Sequence, residues 1–216
     1  MQPVQMVDIS AILLLLSTCF LVVNRQLARG IVLLGLQSML LSFIAVIVAA
    51  TTGIQEIYIA ALLTVIIKGV GATIVLGWVL RSAHTRIETN ILSRGLSLAA
   101  VVALTFVGYS SVSPDLQVKT LFHTPNSLPI AISMVLIGVF IMITHKKALM
   151  TVIGLITIEN GLFLFALSTT YGVPQFVELG IFLDVAISIL MLGFFAFRIN
   201  QMFDTLNVDI LDELRG

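Results

Sequence analysis

A chain of 216 residues that is 59% hydrophobic and only 10% charged, with a mean hydropathy of +1.14, carries more apolar side chain than a soluble core of that size can hide from water. Its 11 basic and 11 acidic residues cancel, which leaves no basic surface for a nucleic acid. Cys19 is the sole cysteine, so disulfides within the chain, cysteine-ligated iron–sulfur clusters and paired-cysteine nickel or zinc sites are excluded, and His84, His123 and His145 are too scattered to read as a metal site.

Seven apolar runs are long enough to cross a hydrocarbon layer of roughly 30 Å; they fall at 5–23, 30–52, 56–80, 95–113, 128–144, 148–170 and 175–198. Only helices satisfy their own backbone in lipid at such lengths, so the expected fold is an all-α polytopic membrane protein. Asp8 intrudes into the first run, but no Lys or Arg precedes it and no clean cleavage site follows, so it reads as a helix of the mature chain and not as a signal peptide. The connections are short, which favours antiparallel neighbours. The exception is the loop Pro114–Pro129, where a short surface helix has room but no chemistry is evident. The tail from Asn200 to Gly216 is acidic, with apolar residues such as Leu206, Ile210 and Leu211 that fit docking on a partner.

The basic residues set the orientation. Arg25, Arg29, Arg81, Arg86, Arg94, Lys146, Lys147, Arg198 and Arg215 fall in connections on one side and Lys119 alone on the other, which puts the N-terminus outside and the C-terminus in the cytoplasm. A repeat is also visible. At a shift of 122 residues Gln37 falls on Glu159 and Glu56 on Glu178, while Gly35-Leu36 and Thr51-Thr52 find counterparts at slightly smaller shifts in Gly154-Leu155 and Thr169-Thr170. Two similar three-helix units of the same orientation result, as in some transport proteins. The division runs 1–82 for the first unit, 83–127 for a linking helix and outer loop, 128–200 for the second unit and 201–216 for the tail.

Charges inside the apolar runs are the candidate site. An ionised group at mid-bilayer costs on the order of 3 kcal/mol on insertion scales, against about 0.3–0.6 kcal/mol returned by each Leu, Ile or Phe. Such residues therefore need a reason to be there. Glu159, with Asn160 beside it, lies near the centre of its run, roughly 15 Å from water on either side. Asp184 is about a third of the way into the last run with Ser188 one turn on, and Glu178 is near that run's start. Lys68 sits mid-run followed by Gly69 and Gly71, whose lack of side-chain bulk would let another backbone or a file of waters approach, and the partner suggested for it is Glu159, Asp184 or an acid on another subunit. Gln37 occupies the slot matching Glu159 and can hydrogen-bond but not titrate. Proton-relay candidates are thus Glu159, Asp184, Lys68 and Glu178, supported by Asn160, Gln37 and Ser188; the competing reading makes these groups helix–helix glue.

These residues give the chain a resemblance to hydrogenase-4 component E, a membrane subunit of group 4 energy-converting [NiFe]-hydrogenase complexes. It rests on Ile158-Glu159-Asn160-Gly161, on Val177-Glu178-Leu179-Gly180-Ile181 followed by Asp184, and on Lys68 within an apolar helix. The last three runs resemble the small K-type subunit of respiratory complex I and the C subunit of multisubunit sodium/proton antiporters. That likeness is carried by His145-Lys146-Lys147, Ile153-Gly154-Leu155 and the ending Asp212-Glu213-Leu214-Arg215-Gly216. The small subunit has its first glutamate directly after Gly-Leu, where this chain has Ile156, and its second where this chain has Ser188. Glu159 and Asp184 are each displaced by one turn and keep about the same face. The resemblance implies lateral proton transfer through a membrane arm, driven by redox chemistry elsewhere in the complex. No cofactor is expected in this chain; a nickel–iron centre and iron–sulfur clusters, or flavin, would belong to partner subunits. Implied partners are antiporter-like membrane subunits, the membrane anchor subunit and, through them, the peripheral redox subunits, all in a prokaryotic inner membrane. A subunit of a redox-free cation/proton antiporter and a purely structural scaffold stay open as alternatives.

Overall fold

A computed structural model describes residues 2–24, 26–82, 92–112 and 126–169, and these are helical almost throughout. Helix α1 spans Pro3–Val23, with its proline in the first turn, where the missing N–H would have no partner in any case. Helix α2 spans Leu27–Thr52 and ends on Gly53, whose φ of 74° is the left-handed cap that glycine takes without strain. Only Gly53 and Ile54 separate it from the next rod, which runs as α3 (Gln55–Leu63), a π-helical stretch (Thr64–Ala72) and α4 (Thr73–Ser82) without a break.

Helix α5 spans Arg94–Ser110, and the Ser93 hydroxyl caps it by accepting from the Leu96 N–H at 3.4 Å. Helices α6 (Ser127–Thr144) and α7 (Ala148–Thr169) form a hairpin. At its corner the buried His145 ring sits 3.0 Å from the Ile141 carbonyl and 3.2 Å from the Thr144 hydroxyl, occupying the open end of α6. Among the described residues five helices are long and apolar enough to cross a membrane (α1, α2, the α3–α4 rod, α6 and α7), and α5 is a shorter apolar sixth. The expected seventh run, 175–198, the loop 113–125 and the tail lie outside the described residues.

The helices are apolar all round, so hydrophobicity alone does not choose their inner faces. Small and polar residues do. On α1 the buried stripe is Val7, Ala11, Leu14, Thr18 and Leu21, while Ile9, Leu16 and Phe20 point outward. The most extensive contact joins α6 to α7, and two glycines permit it. A Cβ on Gly138 would stand 2.9 Å from the Gly154 carbonyl oxygen, and one on Gly154 would stand 2.9 Å from that of Gly138. The two backbones touch where lipid supplies no hydrophobic drive and close packing must do the holding. Helix α2 is the hub, touching α1, the whole α3–α4 rod and α7.

Two apolar clusters fill the interior. One gathers Ala11, Leu14, Leu41, Ile44, Ala60, Ile130, Met134 and Phe163. The other gathers Leu21, Ile31, Leu34, Leu76, Ile137, Ile153 and Ile156. On α1, α2, the α3–α4 rod and α7 the residues left between them are polar: Thr18, Gln37 and Ser38, Thr64 and Lys68, and Thr157, Glu159 and Asn160. A polar layer at mid-height thus lies between two apolar plugs.

Gly154→Val places two methyl groups where a carbonyl oxygen already stands. It is expected to cost about 1–3 kcal/mol of stability, seen as a lower unfolding midpoint and a smaller monodisperse yield in detergent.

Candidate functional site

Helix packing brings Lys68 and Glu159 together from the α3–α4 rod and α7. Lys68 Nζ is 3.3 Å from Glu159 Oε1, and both side chains are about 2–3% exposed. The same ammonium donates to Asn160 Oδ1 at 3.5 Å and stands 5.8 Å from the centre of the Phe163 ring. A carboxylate, an amide oxygen and an aromatic face are the three kinds of group that stabilise a desolvated ammonium. Of the partners open to Lys68 from sequence, Glu159 is an ion-pair partner among the described residues, and Asp184 lies outside them.

The chain of bonds continues. Asn160 Nδ2 donates to Gln37 Oε1 at 3.5 Å, Gln37 Nε2 donates to Thr18 Oγ1 at 3.1 Å, and Thr18 Oγ1 donates to the Leu14 carbonyl at 2.8 Å. Since an ammonium can only donate, the Asn160 oxygen must face Lys68, and every later donor then points the same way. Neither amide titrates, and the last acceptor is a backbone carbonyl. The row therefore holds Asn160 against Lys68 and is not itself a proton path; the titratable part of the site is the Lys68–Glu159 pair. Gln37 and Asn160 thus meet across the α2–α7 contact.

The widened helical turns explain how a lysine reaches this place. The buried residues of the rod include Ala60, Thr64, Lys68, Ala72, Leu76 and Leu80, every fourth position. In a regular α-helix a four-residue step drifts by about 40°, so five steps would carry the stripe about 200° around the rod and out to lipid. The π-helical stretch Thr64–Ala72 unwinds the rod and keeps all six inside. Gly69 and Gly71 do not admit a neighbouring backbone. A Cβ on Gly69 would find the Met39 and Ser38 side chains at 3.6 and 3.8 Å, and one on Gly71 the Ile66 carbonyl oxygen of its own rod at 3.2 Å. Their part is local, in the wide turns.

Glu56 is exposed in the first turn of α3, away from the pair. Asp184, Glu178 and Ser188 lie outside the described residues. Sequence reasoning passed over Thr18 and Phe163, and also a second polar group at the start of α1. There Asp8 stands beside Asn126, whose Oδ1 accepts from the Tyr109 hydroxyl at 3.2 Å. One Asp8 oxygen, Oδ1, is sealed from solvent. A polar group on each of α1, α5 and α6 was the available signal for it. Among the described residues no three His, Cys, Asp or Glu side chains gather as metal ligands would.

Removing one member of a buried ion pair leaves an uncompensated charge in oil. Lys68→Met alone, or Glu159→Leu alone, is expected to lower stability by about 3–5 kcal/mol, and the two together to recover most of that loss. Denaturant unfolding of the three variants in detergent measures the coupling; strictly additive losses would rule the pair out as an energetic unit.

No family model matches the chain, and no solved structure does. The chain is similar to "Uncharacterized protein Rv0085" of Mycobacterium tuberculosis (strain ATCC 25618 / H37Rv), with 27% identity over 216 residues covering 97% of this chain and 96% of that protein.

Proposed function

We propose that this chain is a non-catalytic integral membrane subunit of a complex I-like energy-converting hydrogenase or dehydrogenase assembly, in which the buried Lys68–Glu159 pair takes part in proton translocation driven by redox chemistry in partner subunits. The observation that carries this reading is the position of the pair, 3.3 Å apart in a polar layer between two apolar clusters. Apolar side chains above and below oppose straight passage across the membrane. A proton exchanged by the pair would pass within the layer, by groups other than the Asn160–Gln37–Thr18 row, as a relay along a membrane arm requires. The motif Ile158-Glu159-Asn160-Gly161 and Lys68, which carry the resemblance to hydrogenase-4 component E, are residues of this layer.

In this reading the chain crosses a prokaryotic inner membrane seven times, with its N-terminus outside and its C-terminus in the cytoplasm, as the nine-to-one bias of basic residues supports. Asp184 and Glu178 extend the relay towards antiporter-like and anchor subunits, and the nickel–iron, iron–sulfur or flavin centres reside in peripheral partners. The Lys68–Glu159 pair would serve a redox-free cation/proton antiporter equally well, so the company the protein keeps is the discriminating fact.

Glu159→Gln keeps the shape and hydrogen-bonding reach of the acid and removes its proton exchange. In the intact assembly it is expected to slow coupled proton movement on the order of 10²-fold, read as acidification of inverted vesicles per electron transferred, and undiminished coupling would take Glu159 out of the mechanism. Gentle detergent extraction is expected to bring along iron–sulfur and nickel or flavin proteins. Recovery of antiporter-type membrane subunits without any redox protein would replace the hydrogenase reading by the antiporter one.

A further inference from the structure

A cavity of about 330 Å³ opens where α1 ends and α2 and α5 begin, lined by Phe20, Val23, Asn24, Gln26, Arg29 and Arg94. Its polar wall combines two guanidinium groups with the neutral amides of Asn24 and Gln26. Arg29 and Arg94 come from different helices, and among the described residues no acidic side chain lines the space and neither arginine has an ion-pair partner. Asn24 Oδ1 is occupied in accepting the Gln26 N–H at 3.0 Å, which fixes the short link beneath the arginines. The start of α5 lies in the same wall and adds the positive end of its dipole.

The rest of the lining is apolar, Phe20 and Val23. Phe20 is 65% exposed on α1, and Leu96, in the first turn of α5 behind Arg94, is 56% exposed. This junction of two guanidinium groups with bare hydrocarbon occurs at the ends of helices apolar enough to span a bilayer, the level at which lipid phosphates sit. A guanidinium binds phosphate through paired N–H bonds, and two of them converging on one space match a single phosphodiester with its charge.

We infer that this cavity is a binding site for the headgroup of an anionic phospholipid, its phosphate held between Arg29 and Arg94 and its acyl chain lying over Phe20. A free phosphate satisfies the arginines but leaves the apolar wall uncovered; a lipid covers both. The orientation in the proposed function places the site in the cytoplasmic leaflet, but the site itself is independent of that function. A second cavity, of about 370 Å³ between α2 and α4, supplies the internal control. It is lined by apolar groups such as Ile31, Val32 and Leu80 with Arg81 as its one charged member.

The test is native mass spectrometry of the full-length protein released from mixed phosphatidylglycerol and phosphatidylethanolamine micelles. The wild type is expected to retain phosphatidylglycerol in preference to phosphatidylethanolamine, and the double variant Arg29→Gln/Arg94→Gln to lose that preference by about tenfold or more. Arg81→Gln, which removes one positive charge from the same end of the bundle as each single variant Arg29→Gln or Arg94→Gln does, is expected to leave it in place, as is addition of millimolar inorganic phosphate. If the double glutamine variant is not recovered, Arg29→Lys/Arg94→Lys keeps the charge without the paired N–H geometry, and is expected to weaken retention several-fold. Equal loss in the Arg81 variant, displacement by inorganic phosphate, or no preference in the wild type would each overturn the assignment.

Discussion

The interaction on which the interior depends is the contact between one ammonium and one carboxylate in a medium that tolerates neither alone. Taking either ion out of water costs several kcal/mol even after relaxation. Their mutual attraction offsets that cost only with good geometry and further polar neighbours. Lys68 has them in Asn160 Oδ1 and the face of Phe163, and Asn160 is held in turn by Gln37 and Thr18. Four helices, with residues separated by up to 145 positions along the chain, converge on that one requirement, since Thr18 and Phe163 bracket the set.

The rest of the fold can be understood as what makes such convergence affordable. The glycine contact between α6 and α7 locks the helix that carries Glu159 and Asn160. The two apolar clusters close the layer off above and below, which lowers the local dielectric and strengthens the pair. A polar layer of this kind also specifies register, because a slip of one residue in α2 or α7 would turn Gln37 or Asn160 away from its partner.

Most helix boundaries were legible in the sequence to within a few residues, because hydropathy falls away at both ends and Pro3, Gly53 and Ser93 mark termini with chemistry of their own. Part of the cluster was also legible, since Lys68, Glu159, Asn160 and Gln37 stand out in hydrocarbon, while Asp184, Glu178 and Ser188 lie outside the described residues. Its wiring was not. Which acid meets Lys68 is decided by the crossing of non-adjacent helices, and no local pattern carries that. Thr18 was invisible for a different reason: a threonine hydroxyl satisfied by the carbonyl four residues back is unremarkable in any apolar helix. Phe163 is one of 13 phenylalanines, and nothing in its neighbours marks it as the one beneath a cation.

The π-helical stretch was the feature furthest from sequence reasoning, although its trace is there in the fourfold spacing of Ala60, Thr64, Lys68, Ala72, Leu76 and Leu80. It has a consequence for how related chains can differ. A rod that buries every fourth residue holds more residues per unit of height than an ordinary helix, and shortening it there would rotate everything from Thr73 onward by about 100°. Any relative that retains a lysine at this depth is thereby bound to retain the length of the segment as well. In chains that have lost the charge the constraint lapses, and a one-residue gap between the positions of Ala60 and Leu80 becomes the fossil of a vanished cation.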